Sequence, residues 1–399
     1  MKKISYDATS SMLGYLYQVR YALYLALKKI VQVEDIDSST ITIESLDDVS
    51  FEERGIAKDL IQTKHHVKEK ANLNDKNSDI WKTLRIWSED YKEGKLFLSE
   101  DTIRTLVTTS PNATDSIASY LSPSPKERNV YKAIEALDKI SNNSKDDDKL
   151  SVCHKAYNNL NSEEKDLLVS SVYVVTRAEN IIESEELLKK HCRLTVEERH
   201  LRPFLERLEG KWFSMAINSM MSKGKNSISL GQLVSEFNEL RSQFLPGNLP
   251  VDYDLLDIED EDENYSRNYI KQLQLINAPT GIIKLAKENY YKASKQRSKW
   301  SRDSLLLVGE LGRYDRIIKD EWREQKELLS WNEAHKSKEE KGAELYKNCL
   351  KSGLKPIRPA FHQPYVARGT YQILSEQLII GWHEDYLDRL TNDSQGEVA

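Results

Sequence analysis

The chain has 399 residues, a net charge of −6, 39% apolar residues and 31% charged ones. One ordinary hydrophobic core does not extend over that length, so two or three domains are expected, and the charge density suits a mostly helical protein with solvated outer faces. No stretch approaches the roughly 18 apolar residues of a membrane span, Met1-Lys2-Lys3-Ile4 does not open a secretory signal, and Cys153, Cys192 and Cys349 are too scattered for a disulfide framework; a reducing, cytoplasmic setting is expected.

Residues 10–31 read as a helix. Leu13, Leu16, Leu23, Leu27 and Ile30 fall on one side at helical spacing, with Ala22 and Leu25 opposite, so both faces should be covered. Residues 40–44 alternate as a half-buried strand, residues 49–54 follow as its hairpin partner, and residues 60–65 form a third strand. A helix over 80–91 carries Trp81, Leu84 and Trp87, and 106–109 is a further strand. Beyond Ser110 the pattern changes. Ser122-Pro123-Ser124-Pro125 breaks the chain, 142–148 is a solvated loop, 168–175 offers one more strand, and nearly everything after it reads helical. The Pro- and Gly-containing stretch 244–250 marks a boundary and an acidic loop follows at 257–263. Helices are expected at 265–276, 281–300, 303–329 and 370–390. The division is therefore an α/β domain over 1–200, with a mixed sheet flanked by helices, a helical connector over 201–248, and a mainly α-helical region over 249–399.

The chemistry concentrates early. Glu44, Asp47 and Asp48 sit where the first strand ends, and Gln62 and Lys64 lie on the third strand, sharing a face because side chains alternate with period two. Cutting a phosphodiester calls for a cation that neutralises developing charge and activates water, and Mg²⁺ (or Mn²⁺) wants hard oxygen ligands. Asp48 is the first candidate ligand, with Glu44 and Asp47 next. Gln62 brings an amide to that face, its carbonyl oxygen able to ligate or to hold a metal-bound water. Lys64 would orient the nucleophile or stabilise the transition state, and Gln18 could add a polar group from the first helix. An acidic protein must concentrate its basic residues locally to bind nucleic acid; here Lys58, Lys64, His65, His66, Lys68 and Lys70 are the candidates.

Plainer readings stand beside these. Asp47-Asp48 could be a polar turn and Gln18 a structural helix residue. Cys153-His154 and His191-Cys192 match no standard zinc spacing. Arg193 and His200 have the spacing of some helical ribonucleases. Trp300, Tyr314 and Trp322 read as helical core or subunit interface, Trp382 and His383 as interface, and 257–263 as a solvated loop or a docking point for a basic partner.

The order helix-strand-strand-strand-helix-strand with Asp…Gln-x-Lys resembles the PD-(D/E)XK nuclease superfamily. Gly14-Tyr15-Leu16-Tyr17-Gln18, residues 43–49 and residues 60–66 together resemble the double-stranded DNA endonuclease domain of bacterial anti-phage effectors. Ile270-Lys271-Gln272-Leu273, Tyr290-Tyr291, Gln296-Arg297-Ser298-Lys299-Trp300 and residues 381–386 resemble the helical C-terminal region of nuclease subunits from Lamassu-type and ABC three-component systems. The resemblance implies a restriction-endonuclease-like fold, Mg²⁺-dependent cleavage of double-stranded DNA, and assembly with an SMC-like or ABC-type ATPase and a small third subunit. It also implies restraint until activation, with possible self-association of the released subunit. The alternatives are a catalytically inactive nuclease-fold subunit and an RNA-cleaving toxin.

Overall fold

A computed structural model describes residues 9–66, 73–98, 101–222, 227–256, 266–332, 336–351 and 355–396. Helix α1 (Thr9–Ile30) leads into β1 (Ser39–Ile43) and β2 (Val49–Glu53), which pair antiparallel from Ser39↔Glu53 to Ile43↔Val49. Arg54 and Gly55 then turn the chain with φ of 51° and 79°, the left-handed two-residue turn that matches strand twist. Strand β3 (Ile56–Lys64) pairs antiparallel with β2 and parallel with β4 (Ile103–Thr108). A parallel pair needs a crossover, and α2 (Ser78–Lys92) supplies it, capped by the Asn77 side chain accepting from Asp79 N at 2.7 Å.

The second crossover is longer: α3 (Ile117–Tyr120), α4 (Val130–Asn142), α5 (Ser151–Asn158) and α6 (Ser162–Ser171) precede β5 (Val172–Val175), parallel to β4. The strand expected over 168–175 is therefore half helix. A capping box between Asn161 and Glu164 starts α6, and satisfying two orphan donors there carries helical conformation through Ser171. Next come α7 (Glu183–Cys192), α8 (Leu201–Met221), β6 (Ser227–Ser229) and α9 (Leu230–Gln243). The short β6, not expected from the sequence, closes a six-stranded sheet in the order β5-β4-β3-β2-β1-β6.

The sheet is covered on both faces. Ile80, Trp81, Leu84 and Trp87 of α2 pack with Leu106, Leu168, Val172, Val174 and Tyr157 in one core. On the other face α1 lies along β1, and Lys29 sits 5.8 Å over the Phe51 ring while pairing with Asp59 at 2.7 Å. Tyr17, Ala22, Leu23, Ala26 and Leu27 are buried, whereas Leu16 in the first part of α1 is 40% exposed.

The chain divides into two units, residues 1–195 with 205–238, and residues 196–204 with 239–399. Residues 201–248, expected as a connector, are instead shared between them. The second unit holds α10 (Asn268–Leu275), α11 (Thr280–Arg302), α12 (Glu310–Asn332), α13 (Lys338–Lys351), α14 (Pro364–Glu376) and α15 (Tyr386–Gly396). Helix α13 was not foreseen, and the helix expected at 303–329 starts later because Ser304 and Gly309 take positive φ of 54° and 69°. The single helix expected over 370–390 is two. Leu378 turns left-handed with φ 57°, and the buried Gln272 amide holds the break open. Its Nε2 donates to Ser375 O (2.8 Å) and Ile380 O (3.3 Å), and its Oε1 accepts from Trp382 N (3.1 Å).

Trp300, Tyr314 and Trp322 are buried core residues of this unit, their polar atoms donating to Pro250 O, Lys355 O and Gly381 O. His383 is buried too, between Glu339 (3.3 Å) and the backbone N–H of Asp385 (3.1 Å). The acidic stretch 257–263 lies outside the described residues. Among those described, no helix is long and apolar enough to cross a membrane.

Candidate active site

The site forms where β2 leaves β3. Their ladder ends at Val49↔Ile61, so the next donors on β3 need other partners. The Asp48 side chain takes them, Oδ2 accepting from Thr63 N at 2.7 Å and Thr63 Oγ1 at 3.0 Å. A side-chain carboxylate thus continues the sheet's hydrogen bonding as the strands separate. The Asp48 carbonyl is fixed as well, by Gln18 Nε2 of α1 (2.6 Å) and Glu44 N (3.1 Å).

Gln62 is the centre of the cluster. Its Nε2 donates to Asp48 Oδ1 at 3.0 Å and to Asp47 Oδ1, while its Oε1 accepts from Lys64 Nζ at 2.8 Å. That network fixes the amide's orientation, because the reverse would set a carbonyl against two carboxylates and an NH₂ against an ammonium. Asp47 is 7% exposed and its Oδ2 accepts from the Trp87 indole N–H at 2.7 Å. Burial pushes its carboxyl up to about 6, against the opposing hydrogen bonds from Trp87 and Gln62 and with added repulsion from Asp48.

Asp47, Asp48, Gln62 and Lys64 are thus brought together. Glu44 is not part of that group. It is exposed, with φ 55°, and no hydrogen bond joins its side chain to the cluster. Among the described residues no group of three or more His, Cys, Asp or Glu side chains is placed to hold a metal; the acids that converge here number two. Hard oxygens in a pair are nonetheless what Mg²⁺ takes, since it binds through one or two carboxylates and keeps several waters. Gln62 Nε2 marks a point served by one oxygen from each acid.

The expected basic surround is thinner than its spacing suggested. Lys58 lies at the far end of β3, six residues from Lys64, about 20 Å along an extended strand. His66 pairs with Asp79 at 2.8 Å. His65 stacks on Tyr17 with ring centroids 4.8 Å apart and accepts from Ile181 N at 3.4 Å; burial, then the neighbouring His66, lowers its pKa. Lys68 and Lys70 lie outside the described residues.

Sequence reasoning missed two participants and one buried charge behind them. Thr63 is hidden by its own ordinariness. Trp87 is separated from Asp47 by two strands, a loop and the first turns of α2, and the sequence places it only on that helix. Arg104, on β4, is 1% exposed and donates to Ser171 Oγ (2.8 Å) and Phe97 O (2.9 Å). Burial lowers its pKa to about 10 while the Asp47 charge opposes that fall. A lone Arg in an otherwise uncharged strand was the available signal.

Of the other candidates, Cys153 and His154 are both buried on α5, while Cys192 is buried and His191 exposed. His200 is 4% exposed with neither ring nitrogen hydrogen-bonded in the structure, and burial lowers its pKa.

Fold and site together define an α/β unit with an acid–amide–lysine cluster, continued in sequence by a helical unit. Residues 269–390 match the family described as C-terminal domain 7 of the ABC-three component (ABC-3C) systems. The match supports a place for the chain as a component of such a multi-component defence system; it lies outside the acid–amide–lysine cluster. No curated protein matches the chain.

Proposed function

We propose that the N-terminal unit is a metal-dependent DNA endonuclease, and that the chain is the cutting subunit of a multi-subunit prokaryotic defence complex whose partners restrain it until activation. One observation carries the reading: two carboxylates, an amide and an ammonium meet through hydrogen bonds at Gln62. Asp48 and Asp47 would hold Mg²⁺ or Mn²⁺, which supplies charge neutralisation at phosphorus and a more acidic bound water. Gln18 and Thr63 hold Asp48 in place. Lys64 uses one of its three donors on Gln62 and keeps two for a phosphate oxygen. In the partner complex, an ABC-type ATPase and a small third subunit are the expected companions, with the helical unit as the docking part.

The inactive-subunit reading has an observation of its own: every polar atom of the Gln62 amide is engaged within the cluster, as in a purely structural network. The RNA-cleaving alternative loses support from the burial of His200, which keeps its imidazole from an RNA strand.

Plasmid cleavage with Mg²⁺ decides between them, comparing wild type, Asp48→Ala and Lys64→Ala, each alone and with the genomic-neighbour proteins, ATP and DNA ends. Loss of roughly 100-fold or more in both variants is expected. Equal cleavage by all three would move the site elsewhere. No cleavage under any condition would favour the binding subunit.

A further inference from the structure

We propose that Trp87 is a positioning residue of this site, its indole N–H holding the Asp47 carboxylate in the orientation from which it meets a divalent cation. The inference rests on the nuclease reading above and extends it to a residue outside the Asp…Gln-x-Lys pattern. Three observations support it. Trp87 Nε1 lies 2.7 Å from Asp47 Oδ2, and no other donor reaches that oxygen among the described residues. Asp47 is buried, so it has no solvent to replace a lost donor. Its other oxygen accepts from Gln62 Nε2 and Asp48 N (3.0 Å), so the indole N–H is what fixes the rotation of the carboxylate about that anchored oxygen. Partners that orient metal ligands are worth roughly 10–100-fold in metal affinity.

The same helix provides a control. Trp81 is equally buried in the same core, and its indole donates at 2.7 Å to a backbone carbonyl, Asp75 O, away from the acids. Trp81→Phe and Trp87→Phe each keep a packed ring and remove one N–H, so a merely structural role predicts the same behaviour from both.

The test measures Mn²⁺ binding by the full-length protein, by electron paramagnetic resonance of the free ion, together with plasmid cleavage. Trp87→Phe should weaken Mn²⁺ roughly 10–100-fold and lower kcat with KM for DNA held, while Trp81→Phe binds Mn²⁺ as wild type. Unchanged affinity in Trp87→Phe, or an equal loss in Trp81→Phe, overturns the proposal and leaves the nuclease reading standing. Wild type that binds no Mn²⁺ overturns the metal site and this inference together. Should Trp87→Phe fail to fold, the wild type still answers: on adding Mg²⁺ the indole N–H resonance of Trp87 should move while that of Trp81 stays, and an unmoved Trp87 resonance at saturating Mg²⁺ overturns the proposal.

Discussion

Asp47 is where the fold and the candidate chemistry pull against each other. Its folded pKa of about 6 lies above the ordinary 3.8. Between those values the folded chain keeps a proton that the unfolded chain has released. Its contribution to stability is therefore full below about pH 4 and is lost as pH rises through about 6. Removing the charge should reveal this: without metal, Asp47→Asn gains stability relative to wild type between pH 4 and pH 8, by on the order of 2–3 kcal/mol. Paired chemical denaturation in chelator at the two pH values measures it, and a difference that does not change with pH would contradict the assignment. Half of the site was legible at this scale. Period-two alternation sets Gln62 beside Lys64 whatever the rest of the chain does. The choice between Asp47 and Glu44 was not legible, because it depends on the left-handed turn at Glu44 and on an indole forty residues further along.

At the scale of elements, helix packing in the second unit depends on close approach. α11 and α14 cross at Gly369, where a Cβ would collide with the Asn289 carbonyl and the Ala293 methyl. Gly369→Ala should cost about 1–3 kcal/mol through overpacking. Gly210, exposed within α8 with nothing within 4 Å of its would-be Cβ, should behave oppositely, Gly210→Ala stabilising by up to about 1 kcal/mol through helix propensity. Thermal unfolding of the two variants checks both signs, and the same sign in both would refute the packing argument. The residues that carry the resemblance of the helical region have a physical account here. Gln272 bridges α10, α14 and the following turn. Gln296 accepts from Asp252 N (2.8 Å) and Tyr365 OH (2.9 Å), and Arg297 ties Thr370 to Asp315. They are buried joints, costly to leave unpaired, rather than reactive groups.

For the whole molecule, the proposal assigns cutting and docking to the separate units, and their failures should then separate too. Gln272→Ala leaves the buried Ser375 and Ile380 carbonyls and the Trp382 N–H without their amide partner, and should reduce co-purification with the proposed ATPase partner while Mn²⁺ affinity stays at the wild-type level. Lys64→Ala should do the reverse, keeping the complex and losing cleavage. Co-purification from cells expressing all components, with Mn²⁺ binding on the same preparations, checks the pair. Loss of Mn²⁺ binding in Gln272→Ala would show that the units are not independent.

The sequence by itself determined what depends on neighbours along the chain. The alternation of β1 and β3, the apolar stripe of α2 and the helical bias of the second half follow from period and propensity, and the shared face of Gln62 and Lys64 follows from strand parity. Tertiary structure decided what depends on distant partners. Where β2 leaves β3, a carboxylate must replace a lost backbone acceptor, which fixes Asp48 on Thr63. Only when α2 packs on the sheet does Trp87 reach Asp47, and only when Gln272 draws in the turn after α14 does one expected helix become two. Periodicity records how a segment meets water and core, whereas a hydrogen bond across tens of residues exists only once the chain has folded.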